Sequence, residues 1–241
     1  MDRTPQDTSA KVPGTSTMGE PGPTQSPTPE VIRQRLTGPF TATYLTLASI
    51  IQGVALTALV SRVEATYGRF AAADWVLSTT TFLVILIVWH GYLRQALLYT
   101  WLPTFLDSLV PFAFVMAELF LAHLVYQTEQ AWLLAYGGFY LVGLAAWFYQ
   151  NRQVQTADYE SRRIDRLLEW HDRAQGLHLA VLAVLSLAAG ALYDVLGLGQ
   201  VRLGVALGAL VAGCVYLGRS VPPWNGLLAY ARRGSERGTW H

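Results

Sequence analysis

Long apolar segments separated by short polar connections make up most of the chain between residues 41 and 218. They lie over residues 41–60, 75–99, 103–126, 131–150, 175–195 and 201–218. Each is close to the length of about 20 residues that a helix needs to cross the hydrocarbon core of a bilayer. No segment alternates apolar and polar residues with the period of two that a membrane β-barrel requires. The pattern predicts an all-α fold, a bundle of six transmembrane helices.

The segments on either side of this predicted membrane domain, residues 37–220, differ from it in composition. Residues 1–36 are rich in Pro, Thr and Ser, which predicts a disordered cytoplasmic tail. Residues 155–174 carry apolar positions at helical spacing among charged ones. They predict a cytoplasmic amphipathic helix that runs into the fifth span, either as a solvated connector on the lipid headgroups or as a partner or gating surface. Residues 221–241 form a basic cytoplasmic tail.

The composition narrows the class of protein further. Hydrophobic residues make up 52% of the chain and charged residues 14%, against about 25% charged residues in an average soluble domain. The net charge of +1 gives no reason to expect a nucleic-acid partner. The single cysteine, Cys214, rules out a disulfide within the chain. Because the sequence motifs of hydrolases, nucleotide-binding enzymes and zinc enzymes are missing, we expect neither an enzyme nor a cofactor or metal site.

The distribution of basic residues predicts how the chain is oriented. Of the 17 Lys and Arg residues, only Arg62, Arg69 and Arg202 fall in the connections that follow the first, third or fifth span. All others lie on the side of the two termini. Cytoplasmic segments of membrane proteins carry the excess of Lys and Arg. We therefore expect a multi-pass protein of the bacterial inner (plasma) membrane with both termini in the cytoplasm.

Polar residues inside the first and third spans are candidates for a polar path. The first span contains Ser49 and Gln52, and the third contains Asp107, Pro111 and Glu118 on one helical face. Charged residues inside spans are costly and usually face other helices or water. The groups of the first span either hydrogen-bond across helices or line a hydrated path. Those of the third span form either a cation path or an ordinary kinked helix with two buried hydrogen bonds.

The sixth span repeats small residues every four positions, at Gly204, Gly208 and Ala212. Small residues at this spacing allow two helix backbones to approach closely. We expect this stripe to serve helix packing, either within the chain or between protomers.

Two histidines occupy corresponding depths in different spans. His90 lies near the end of the second span and His178 near the start of the fifth, so both are close to the membrane side that carries the two termini. Two such histidines can ligate a haem when their rings face each other across a cavity. Histidines at helix ends are more often hydrogen-bonded structural groups, so we expect no cofactor here.

Two runs in the central hairpin resemble a known family. TFLVILIVW, Thr81–Trp89, is followed by His90 and Arg94, and SLVPFAFVMAE, Ser108–Glu118, places a Pro-Phe pair ahead of a glutamate. In these residues the chain resembles the bacterial relatives of the endosomal/lysosomal potassium channel, the transmembrane-protein-175 family. The Phe-Ser-Asp signature that opens the first helix of that family is missing from this chain.

The resemblance implies a tetrameric cation channel whose pore is lined by the first helix. The pore-facing positions would then be Ser49, Gln52, Leu56 and Leu59. The missing signature leaves a non-conducting relative as the alternative that the resemblance allows.

Three functions follow as hypotheses. The first is a homo-oligomeric channel for monovalent, potassium-like cations, and the second is a non-catalytic accessory or scaffold subunit of a larger membrane complex. The third is a proton-coupled transporter that uses Glu118.

The three hypotheses place Gln52 and Glu118 differently. In a channel, the Gln52 face would meet its copies around an axis. In a scaffold, both Gln52 and Glu118 would be buried dry. In a transporter, Glu118 would line a cavity inside one protomer.

Overall fold

The computed structural model describes the backbone of residues 29–98, 104–154 and 162–237 and the side chains of residues 42–96, 104–152 and 174–219. Six helices are long and apolar enough to cross a membrane, which confirms the all-helical prediction. They are α1 (Pro29–Thr66), α2 (Ala72–Leu98), α3 (Phe105–Leu124), α4 (Glu129–Val154), α5 (Arg162–Ala191) and α6 (Arg202–Arg237).

Several helix bounds differ from the boundaries drawn on the sequence. Helix α1 begins at Pro29, within the interval predicted as a tail, and α6 continues to Arg237. Helix α5 runs without a break from Arg162 into the fifth apolar segment. It ends at Ala191, after which the chain turns at Gly197 with φ of 60°, a backbone conformation that favours glycine. Residues 1–28, 99–103, 155–161 and 238–241 lie outside the described part of the chain.

Contacts between helix ends show that neighbouring helices run antiparallel, so the bundle has two ends. The start of α4 meets the end of α5 through Gln130 and Gly190, and the starts of α2, α4 and α6 meet through one ionic cluster. The terminal end carries the α2–α3 and α4–α5 connections, and the far end carries the α1–α2, α3–α4 and α5–α6 connections. Helix α2 packs against α1 and α6, α3 packs against α1 and α4, and α4 forms its most extensive interface with α5. This order places α3 between α1 and α4, with its inner face toward the core.

Glycines bring α4 and α5 close together. A Cβ atom added at Gly137 would lie 2.6 Å from Leu187 Cγ, and one at Gly190 would lie 2.8 Å from Leu134 Cγ. Real Cβ atoms do not approach other heavy atoms this closely, so these positions accept only glycine without a shift of the neighbour. Small residues at an interface let two backbones approach and gain van der Waals contact.

An ionic cluster ties three helices together at the far end. Arg202 Nη2 of α6 lies 2.6 Å from Asp74 Oδ1 of α2, and Arg202 Nε pairs with Glu129 of α4. The Tyr193 hydroxyl donates a hydrogen bond to Glu129. Burial, and to a smaller extent the charge of Asp194, raises the pKa of Tyr193, so its hydroxyl keeps the proton it donates. The cluster holds α2, α4 and α6 in register.

Candidate functional site

Helix α3 turns its polar residues toward the core of the bundle. Its buried face includes Asp107, Pro111 and Glu118, the three residues that the sequence placed on one side of the helix. Glu118 has no exposed surface. It stands about 16 Å from Asp107 along the helix axis, at about 1.5 Å per residue. The two carboxylates therefore occupy different environments.

Asp107 is a helix cap. Its Oδ2 accepts a hydrogen bond of 2.6 Å from the backbone N–H of Thr104, and its own backbone N–H donates to Thr104 Oγ1 in return. This reciprocal arrangement satisfies two N–H groups at the start of α3 that have no partner within the helix. The carboxylate at position 107 therefore has a structural role in the start of α3.

Glu118 lies against Gln52 in the contact between α3 and α1. Gln52 is 5% exposed, and its side-chain amide interacts with the Glu118 carboxyl. Among the described residues, neither group completes a hydrogen bond of ordinary geometry, and no salt bridge reaches Glu118. A buried carboxyl is normally hydrogen-bonded or paired with a cation. The under-satisfied Glu118–Gln52 pair therefore calls for a role other than simple packing.

Two tyrosines adjoin this pair from α1 and α2. The Tyr44 and Tyr92 rings meet edge to face with centroids 5.7 Å apart. The Tyr92 hydroxyl lies close enough to both Tyr44 and Glu118 for their charges to interact. It is 3% exposed and has no hydrogen-bond partner in the described part of the chain. Tyr44 lies near Asp107 on its other side. Tyr44, Tyr92, Asp107 and Glu118 are thus four protonatable groups, each within electrostatic range of at least one of the others, where α3 meets α1 and α2.

Tyr92 also lines a cavity in the terminal half of the bundle. The cavity has a volume of about 70 Å³ and is enclosed by side chains from α2, α3, α4, α5 and α6. A single water molecule needs about 10–15 Å³ of such volume, so there is room for a small cluster. The cavity wall includes Phe114, one helical turn from Glu118. Glu118 is not part of the cavity wall, and Tyr92 is the cavity residue that interacts electrostatically with its carboxyl.

Polar side chains surround the terminal side of this cavity. Arg94 Nη2 donates to Gln175 Oε1 over 2.8 Å, and Gln175 Nε2 donates to the Tyr216 hydroxyl over 2.8 Å. Gln95 donates to Gln150 over 2.6 Å. These bonds join α2 to α4, α5 and α6 and give the cavity the polar partners that ordered water requires.

The residues predicted to face a pore do not share one surface of α1. Gln52 and Leu59 are buried inside the bundle, whereas Ser49 and Leu56 are exposed on its side. Trp89 Nε1 of α2 lies 3.5 Å from the hydroxyl of Ser49. The structure brings Gln52 together with Glu118 and leaves Ser49 and Leu56 apart from them.

The two histidines of the haem hypothesis have different described neighbours. His178 lies 5.4 Å from Tyr216, measured between ring centroids, and interacts with the backbone of Ala212. His90 is half-buried near Arg94 on α2. No group of three or more His, Cys, Asp or Glu residues that could hold a metal ion occurs among the residues described.

The small residues of α6 divide between two faces. Gly204 and Gly208 are exposed, with open space where a Cβ would stand, and Ala212 is half-buried. The face that packs inside the bundle carries Ala206, Ala209 and Gly213 instead; a Cβ on Gly213 would lie 2.9 Å from Leu83 of α2. The predicted Gly204–Gly208 stripe therefore points out of the bundle at its far-end half.

Several residues of the site escaped the sequence interpretation. They are Tyr44, Tyr92, Gln95, Gln150, Gln175 and Tyr216. Aromatic and amide residues near span ends are common interfacial anchors, so their types alone do not mark a site. The helical spacing could have placed the two tyrosines on the inner face of the bundle, because Tyr44 lies four residues from Ala48 and Tyr92 four residues from Val88, and both of these are buried.

No protein family, curated protein or solved structure matches the chain. Its class is defined by the fold and the site: an all-helical protein with six helices able to cross a membrane, arranged around a buried carboxyl, an amide and two tyrosines.

Proposed function

We propose that the protein is a multi-pass membrane transport protein in which Glu118 binds and releases a proton. The observation that carries the proposal is the complete burial of Glu118 beside Gln52. Among the described residues, no cation pairs with the Glu118 carboxyl and no hydrogen bond of ordinary geometry reaches it. A charged group at the middle of a membrane helix costs about 2.5–3.5 kcal/mol on insertion scales. Membrane proteins keep such groups mainly on paths that protons, ions or substrates follow.

The cavity and Tyr92 supply the connection that a proton site needs. A proton reaching Glu118 from the terminal end would enter through water in the cavity and pass the Tyr92 hydroxyl. The titratable groups that face this route are Tyr44 on α1, Tyr92 on α2, Glu118 on α3, Tyr140 on α4 and Tyr216 on α6, and Arg94 is the charged side chain among the described residues that line the cavity.

The position of Gln52 favours this function over a pore between copies of the chain. A pore along α1 requires Gln52 to face the neighbouring protomer. The side chain instead faces α3 of its own protomer. A transport site inside the protomer uses both Gln52 and Glu118. Of the four positions predicted to face a pore, only Ser49 and Leu56 lie on the outer surface, where a pore between protomers would need them.

The proposal includes the bacterial inner membrane as location and the cytoplasm as the side of both termini. It is supported by the six apolar helices and by the excess of arginine on the terminal end. The cavity would then open toward the cytoplasmic half of the bundle.

Infrared difference spectroscopy on the purified protein in lipid tests the central step. When the pH is changed, the wild-type protein is expected to show a carboxyl C=O band that Glu118→Gln removes. Glu64→Gln makes the same chemical change at an exposed position of α1 and should leave the band unchanged.

Proteoliposomes with a trapped pH dye then test transport, and Glu118→Gln should abolish any proton flux that the wild type shows. An unchanged band and flux in Glu118→Gln would contradict the proposal.

A further inference from the structure

A groove on the side of the bundle lies outside the proton site. It has a volume of about 520 Å³ and runs between the far-end halves of α1 and α3. Its walls are mainly apolar, with Ala58 and Ala65 from α1 and Met116 and Phe120 from α3. The volume falls in the range of about 300–1,000 Å³ that is typical of ligand sites. Because Met116 and Phe120 are exposed, the groove opens sideways, where acyl chains would lie in a membrane.

Two nitrogen-bearing side chains stand toward the far end of this groove. Arg62 lies in the last turns of α1, and its Nε is buried without a hydrogen-bond partner among the residues described. His123 lies in the last turn of α3 and pairs through Nε2 with the Gln127 amide over 2.7 Å. An amide nitrogen donates, so in this pairing the ring Nε2 is the acceptor. The described lining contains no carboxylate, so the groove is positively charged.

We propose that this groove binds one anionic phospholipid, with an acyl chain against Met116 and Phe120 and the headgroup phosphate at Arg62. The buried Nε of Arg62 lacks an acceptor, and a phosphate oxygen supplies one in a charge-assisted hydrogen bond. Arg62 lies two residues beyond the first span predicted from the sequence, residues 41–60, which puts its Cα close to the headgroup level. A long arginine side chain reaches the headgroup level from such a depth. The site rests on the membrane location in the proposed function but does not depend on proton binding at Glu118.

Charge complementarity selects an anionic lipid over a zwitterionic one. The phosphate of a choline lipid is already accompanied by its own ammonium group. An anionic lipid brings an uncompensated negative charge to a groove whose described charged side chain is Arg62. Basic pockets between membrane helices bind anionic headgroups for this reason.

Counting bound lipids by native mass spectrometry tests the site. The delipidated wild-type protein is titrated with phosphatidylglycerol or phosphatidylcholine of the same acyl chains, and one phosphatidylglycerol is expected to bind preferentially. Arg62→Gln should weaken its binding about tenfold or more, the factor expected for a lost charged hydrogen bond. Arg62→Lys should retain part of the preference. Arg69→Gln removes an exposed arginine from the same end of the chain's first span and should leave binding unchanged.

A second variant tests the apolar part of the groove without changing its charge. Ala65→Phe fills the space beside Arg62 and should reduce the binding of both lipids. Equal binding of the two lipids by the wild type would overturn the proposal. So would an unchanged preference in Arg62→Gln, or an equal loss in Arg69→Gln, which would indicate diffuse surface charge. None of these measurements depends on the Glu118 infrared band, so failure of the lipid proposal can be distinguished from failure of the proton proposal.

Discussion

At the scale of single residues, the site depends on which polar groups already have partners. Asp107 and Glu118 look alike in the sequence, since both are acids on the same face of α3. Asp107 caps the helix through Thr104, whereas Glu118 has only the incomplete contact with Gln52. The face could be predicted from helical spacing, but the partners could not, because they come from other elements and from the cap geometry.

Tyr92 gives the first prediction at this scale. If its hydroxyl passes protons between the cavity and Glu118, Tyr92→Phe should slow the response of the Glu118 infrared band after a pH jump. We expect a loss of about tenfold, smaller than the ~100–10,000-fold contribution of a positioned acid–base group, because cavity water partly replaces the hydroxyl. The size of the band should stay the same.

Tyr140→Phe provides the matched control for this measurement. Tyr140 lines the same cavity, but its hydroxyl donates to Tyr136 over 2.7 Å. Its removal should leave the rate at Glu118 unchanged. Equal rates in wild type and Tyr92→Phe would remove Tyr92 from the route while leaving Glu118 as the proton site.

At the scale of helices, the sequence predicts which segments exist better than how each is rotated. All six apolar segments become helices able to span a membrane. Hydropathy indicates this because every span needs a similar length of apolar residues. Rotation about the helix axis is harder to predict, since a lipid-facing surface is as apolar as the core. On α6 the predicted Gly204–Gly208 stripe faces outward, and Ala206, Ala209 and Gly213 face the bundle.

Neighbouring glycines on α4 allow the packing of α4 against α5 to be tested. A Cβ at Gly137 would lie 2.6 Å from Leu187 Cγ and 3.0 Å from the Leu187 backbone nitrogen, whereas nothing lies within 4 Å of a Cβ at Gly138. Gly137→Ala should therefore destabilise the protein by about 1–3 kcal/mol through overpacking. Gly138→Ala should stabilise it by about 0.5–1 kcal/mol through helix propensity.

Unfolding curves of the two variants in mixed micelles with increasing dodecyl sulfate measure this difference. The two substitutions are chemically identical and adjacent, so detergent binding and insertion affect both alike. A destabilisation of equal size in both variants would show that the α4–α5 contact tolerates a methyl group at Gly137, which would be inconsistent with the close approach seen here.

At the scale of the whole molecule, orientation determines what the cavity and the groove face. The cavity lies in the terminal half and the groove in the far-end half. With the termini in the cytoplasm, water in the cavity would exchange protons with the cytoplasm, and the lipid at Arg62 would belong to the outer leaflet. With the opposite orientation both assignments would reverse. The excess of arginine on the side of the termini predicts the first arrangement, and the fold alone does not test this prediction.

Cysteine labelling in intact cells tests this orientation. The one native cysteine, Cys214, is exposed on α6 and is first replaced by Ser. A membrane-impermeant maleimide should then label Gly68→Cys, which has open space around it at the far end. It should label Ser235→Cys, near the end of α6, only after the cells are permeabilised. The reverse pattern would place the cavity on the outer side and require proton entry from there. Labelling of both positions in intact cells would contradict the six-span arrangement, because the five helices α2 to α6 between the two positions place them on opposite sides if all five cross the membrane.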